Sequence, residues 1–173
     1  MTNSLSKPTW TAQSTRLQSQ TSSSLDVRQT VQPNRQTSKR RAGAPSLASL
    51  EQSVLQQINQ YRQQRGLPVL RSNSTIVQQS RQHSQSMANS GVLSHNGFSG
   101  RVNAISRTIS YRSAAENVAF NSGFSNPVAQ AVNGWLRSPG HLQNIVGNFN
   151  LTGVGVARSS NGAYYFTQIF IRS

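Results

Sequence analysis

Cysteine is missing altogether from this 173-residue chain, which excludes disulfides, thiolate metal sites and cysteine nucleophiles at once. Its absence also removes redox chemistry as a guide to compartment. Acid is nearly missing too. Three Asp plus Glu stand against seventeen Lys plus Arg, a formal net charge of +14. Such a bias implies a polyanionic neighbour, such as nucleic acid, an anionic membrane or a cell-wall polymer. No apolar run approaches the ~20 residues that a membrane-spanning helix needs. The first thirty residues are basic and polar without a continuous apolar core, so no signal peptide is visible.

What is present divides near residue 45. Residues 1–45 are rich in Ser, Thr and Gln, poor in large apolar side chains, and end in the basic run Lys39-Arg40-Arg41. Seven basic residues against Asp26 give this arm a charge of +6. It has too little apolar surface to offset the entropy of ordering, and is expected to be disordered. Residues 46–173 carry ten arginines, no lysine, and only Glu51 and Glu116 in opposition. This is the folded part, large enough for one domain.

The folded part begins with two amphipathic helices. Leu50, Val54, Ile58 and Tyr61 recur at helical spacing after Ser46 or Ser49, and Gly66 and Pro68 punctuate the end. Ile76, Ser80, His83 and Met87 form the stripe of a second helix, capped by Asn73 or Ser74 and closed by Gly91. His83 on that stripe reads as a core histidine with a satisfied hydrogen bond. Residues 91–120 lack clear periodicity and read as irregular, with a short helix or strand. Asn126-Pro127 and Ser138-Pro139 each mark a helix start, with Trp135 in the core. The C-terminus then turns to period two, two strands around an Asn161-Gly162 hairpin turn. The last strand is apolar on both faces, whereas the one before it shows Val154 and Val156 on one face and Gly153 and Gly155 on the other. A sheet covered on both sides predicts an α+β fold, a three-layer α-β-α sandwich around a small antiparallel sheet.

Against so few titratable groups, Glu116, His95 and His141 stand out. Two imidazoles and a carboxylate suit a divalent transition metal, zinc most naturally, with water in the fourth place. Their spacings are too long for a local motif, so only the fold can bring them together. With Ser138 as N-cap, His141 falls at the third helical position, where the positive end of the helix disfavours imidazolium. A polar network that braces the cleft serves equally well as a reading of the three.

The succession "INQYRQQRGLPVL", "HSQSMANSGVLSHNG", "AAENVA", "GWLRSPGHLQNIV", "TGVGVA" and "YYFTQIF" resembles the CAP (SCP) superfamily of cysteine-rich secretory and pathogenesis-related proteins, in its cysteine-free bacterial form. The likeness covers about residues 47–171. It implies an α-β-α sandwich with a central cleft, in which two histidines and two acids can hold a divalent cation. His95 and Arg101 match the "HN…R" motif, Glu116 and Asn117 the "EN" motif, and His141 the second histidine. Ser138 stands where the family's second acid is found, and its hydroxyl is free to cap the helix or to order Glu116 or a water. The resemblance implies an extracellular or cell-envelope protein.

Three functions follow as expectations. The first is a secreted or surface binding module whose cleft takes a cation or a lipid, glycan or peptide. The second is a metal-dependent, protease-like hydrolase using His95, Glu116 and His141. The third is polyanion or envelope binding through the arginines and the arm. No "GxSxG" elbow singles out a nucleophilic serine, and the reading leans to binding over catalysis. Ligand identity, export route and oligomeric state are not legible.

Overall fold

A computed structural model describes residues 45–173. The basic arm, and the expectation that it is disordered, lie outside the described residues. Nine elements follow in order: α1 (Leu47–Gln64), β1 (Arg71–Ser72), α2 (Ser74–Ser90), α3 (Phe98–Ser106), β2 (Ser113–Asn121), α4 (Pro127–Arg137), α5 (Pro139–Val146), β3 (Leu151–Arg158) and β4 (Tyr164–Arg172). No helix among the described residues is long and apolar enough to cross a membrane.

Local chemistry accounts for the helix ends. The Ser46 hydroxyl accepts the Ser49 N–H at 3.1 Å, and Asn73 Oδ1 accepts the Thr75 N–H at 2.9 Å. Gly91 ends α2 in the left-handed region at φ 72°, which costs glycine nothing. The stripe of α1 drifts from the expected one at its end. Arg62 is buried there, whereas Tyr61 is only half-buried. The Arg62 guanidinium donates to the carbonyls of Pro68 (2.8 Å), Ile145 (2.7 Å) and Gly147 (2.9 Å), tying α1 to the turn after α5. Burial lowers its pKa. Those carbonyls belong to a non-helical turn and a helix end, and have no ladder to bond into.

The four strands lie in the order β1-β3-β4-β2. β2 and β3 both pair antiparallel with β4, and two-residue β1 adds a parallel step beside Leu151 and Thr152. The segment expected to be irregular thus holds both a helix, α3, and an edge strand of nine residues, β2. Its alternation was hidden because Glu116, Asn117 and Asn121 are buried polar residues in the strand.

Both sheet faces are covered, as the apolar C-terminal strand implies. Val154, Val156, Phe166 and Phe170 pack with Leu50, Val54, Ile58, Val132 and Trp135 of α1 and α4. Ile169 and Ile171 pack with Ile76 and Ile105 of α2 and α3 on the other face. Gly153 and Gly155 let α2 approach β3 with no side chain between. A Cβ at Gly153 would strike the backbone at Ile76–Val77, and one at Gly155 the backbone at Ser80–Arg81. The Ser80 and Ser84 hydroxyls bridge this seam, each donating to a glycine carbonyl at 2.9 Å. The domain is the α-β-α sandwich that the sequence predicts.

Candidate functional site

Strand β2 supplies the centre of the site by alternation. Successive side chains point to opposite sheet faces, so Glu116 looks toward α2 and α3 while Asn117 looks toward α5. The Glu116 side chain is only 1% exposed. Burying a carboxylate costs several kcal/mol unless it is paired, and here Arg101 of α3 pairs it. Arg101 Nε donates to Oε2 at 2.8 Å and Nη2 to Oε1 at 2.7 Å, a two-pronged fork. His95, in the loop before α3, donates from Nδ1 to Oε1 at 2.9 Å. An ionised carboxylate only accepts, so Nδ1 is the donor of this bond and Nε2 is the ring nitrogen left for another partner. The His95 side chain is 54% exposed.

His83 belongs to the same cluster. Its Nε2–H donates to the Ser94 carbonyl at 2.7 Å, and its Nδ1 accepts from Arg101 Nη1 at 3.1 Å. It is a satisfied core histidine, as expected, and it also fixes Arg101 from behind. Burial, then the charge of Arg101, lower its pKa and keep it neutral. The Ser94 bond, second only to burial, and the Glu116 charge pull the other way without reversing the direction.

From the other face comes α5. Asn117 Nδ2 donates to the His141 carbonyl at 3.1 Å, and its Oδ1 accepts from Asn144 Nδ2 at 2.9 Å. Asn144 was not singled out from the sequence, although its position one turn after His141 places both on one side of α5. His141 is half-buried, and its Nδ1 has no hydrogen-bond partner among the described residues. Burial first, and then the charge of His95, lower its pKa. The neutral imidazole expected from the helix N-terminus is therefore present for a different leading reason.

Ser138 does not do what the sequence suggests. It joins α4 to α5 with extended backbone, and its carbonyl accepts the Leu142 N–H at 2.8 Å. Its hydroxyl makes no capping bond, and the carboxylate it was expected to order is held by Arg101 and His95 instead. Trp135 is core, 1% exposed, with its indole N–H on the Val118 carbonyl at 2.9 Å.

The expected trio of metal ligands is tested by this geometry. Both Glu116 oxygens are committed to cations and N–H donors, and among the described residues no three His, Asp or Glu side chains converge as a metal requires. Glu116 fits the role of orienting His95 from behind, as carboxylates do for metal-binding histidines. The surface grooves of about 530 and 340 Å³ lie at the opposite sheet edge, between α1 and α2.

Known proteins share this arrangement of elements. The chain is 33% identical over 129 residues to the uncharacterized protein YkwD of Bacillus subtilis, covering 73% of this chain and 48% of that protein. It thus spans about half the relative's length. An outer surface protein of Borrelia burgdorferi superposes with a TM-score of 0.65 at 16% identity, covering 74% of this chain and 96% of that one. An extracellular protein containing an SCP domain, from Bacillus anthracis, gives a TM-score of 0.60 at 26% identity over 73% of this chain and 41% of its own. The model of the cysteine-rich secretory protein family matches residues 55–170, which hold α2 through β3 whole together with His95, Glu116 and His141. This chain, without a cysteine of its own, belongs to the cysteine-rich secretory protein (CAP) family.

Proposed function

We propose that the domain is an exported CAP binding module, and that His95 and His141 are its ligand-facing groups. The observation that carries this reading is the closure of Glu116. Its oxygens are taken by Arg101 and His95, so the carboxylate supports a binding site and is not poised to activate water. A general base must reach the proton it abstracts, and Glu116 would first have to leave a buried two-pronged ion pair. Binding is thus favoured over hydrolysis.

A divalent cation entering this site meets two imidazoles and completes its shell with water or with the ligand's own atoms. His95 presents Nε2, set by the Glu116 bond to its Nδ1. His141 is held neutral by burial, the state in which an imidazole ligates, and its buried Nδ1 has no hydrogen-bond partner among the described residues. Zinc is the natural choice for paired imidazoles. The relatives described as extracellular and outer-surface proteins support export of this one.

Calorimetric titration of zinc into the full chain tests the reading. One site is expected in the wild type, lost in His95→Ala and in His141→Ala, with the fold retained in both. Absence of binding heat in the wild type overturns the cation reading. Zinc heat that survives both substitutions places the metal elsewhere and overturns it equally.

A further inference from the structure

Away from the histidines, a groove of about 400 Å³ runs between α3 and the start of β2, lined by Phe98, Ser99, Val102, Asn103, Tyr111 and Ala114. Its chemistry is mixed. Tyr111 is exposed and, with Phe98, lends the lining aromatic surface, while Ser99 and Asn103 bring polar groups. Two arginines adjoin the lining residues along the chain, Arg107 one turn after Asn103 and Arg112 directly after Tyr111. Arg107 closes α3, and exposed Arg112 stands between Tyr111 and β2. Arg172, whose carbonyl accepts the Arg112 N–H at 2.7 Å, pairs with Ser113, so alternation turns its side chain to the sheet face opposite Ala114 and the groove. Arg71 lies at the same end of the sheet, paired with Leu151, which pairs with Ile171 next to Arg172. Three inter-strand steps of ~4.8 Å, β1 to β3 to β4 to β2, set it about 14 Å from Ala114 across the sheet.

Among the described residues no ion pair neutralises Arg71, Arg107 or Arg112. The side-chain carboxylates of the described residues are Glu51 and Glu116, and other arginines hold both, Arg81 and Arg101 respectively. A surface that concentrates guanidinium groups without counter-charge calls for an anionic ligand. Guanidinium forks match carboxylate and phosphate in shape.

We propose that this groove binds an acidic oligosaccharide, with a sugar ring against Tyr111 and the acid groups on Arg107 and Arg112. Lining and rim together select that class. A bare polyanion needs only the arginines, and a neutral sugar needs only the aromatic and amide groups. A sugar unit bearing a carboxylate or phosphate uses both, its C–H face on the ring and its hydroxyls on Ser99 and Asn103. The site does not depend on the histidine cluster or on zinc.

The test measures binding of the full chain to polygalacturonate and to a phosphorylated mannan, with inorganic polyphosphate and a neutral glucan as comparators. At least one acidic glycan is expected to bind and to weaken with added salt. Arg112→Ser and Tyr111→Ala are each expected to lose about tenfold, the value of one good contact. Arg107→Ser serves as a second rim variant, and polyphosphate is expected to ignore Tyr111→Ala. Retention of full glycan affinity in Tyr111→Ala overturns the proposal in favour of a bare polyanion surface. Equal affinity for the neutral glucan removes any role for the arginines. Binding to neither acidic glycan, or binding to anionic lipid vesicles alone, overturns it outright.

Discussion

Arg101 carries more of the histidine cluster than any ligand candidate does. Its guanidinium holds both oxygens of Glu116, and it donates to His83 and to the Asn96 carbonyl at 2.8 Å. Truncation would leave a carboxylate buried without its cation. Arg101→Ala is therefore expected to cost about 3 kcal/mol, read as a lower denaturation midpoint with an unchanged slope. A cost below ~1 kcal/mol would mean that water screens the pair and that the cluster is looser than its distances imply. The same arithmetic explains Glu51. It is buried, clasped by Arg81, and accepts the Val156 N–H at 3.2 Å, so it takes the place of a neighbouring strand along the outer edge of β3.

Among the elements, α2 depends most on what its partner lacks. Gly153 and Gly155 of β3 admit the helix to backbone contact, and Ser80 and Ser84 bond across the seam. Ser84 also donates to Thr167 on β4 at 2.8 Å. A methyl group at Gly155 meets rigid helix backbone, and a flexible side chain is not there to yield. Gly155→Ala is expected to destabilise the domain by about 2–3 kcal/mol and to raise hydrogen exchange chiefly in α2. Uniform exchange across α1 and α4 as well would show that the seam is not a local contact. Because α2 carries His83 and leads into the His95 loop, the same substitution should also blunt zinc binding.

On the scale of the whole molecule, burial and charge set an acid limit. His83 and His141 both have pKa values lowered in the fold, each chiefly by desolvation. The unfolded chain, with histidines near ~6.5, binds these protons more readily than the native one. Stability contributed by the neutral rings is thus complete above about pH 6.5 and is lost as pH falls through the lowered native values. Chemical denaturation at pH 7.5 and at pH 5 is expected to give a lower midpoint in acid, and His83→Gln should flatten that slope. A midpoint that rises on acidification would contradict the assignment of buried neutral imidazoles.

Composition and periodicity determined a good deal unaided. The two early helices with their caps, the C-terminal hairpin, the glycine face of β3 and the three-layer packing all follow from local spacing, because each rests on neighbours three, four or two residues apart. Succession of motifs likewise singled out His95, Arg101, Glu116, Asn117 and His141. Tertiary structure decided the rest. Glu116 and His95 are 21 residues apart in sequence and 2.9 Å apart in space, and only the packing of α3 on β2 puts Arg101 on both carboxylate oxygens. That contact engages both Glu116 oxygens, and the Ser138 hydroxyl makes no capping bond at the start of α5. Strand β2 was hidden for the same reason. Its buried Glu and Asn are stable only against partners contributed by α3, α4, α5 and the His95 loop, so no local pattern announces them.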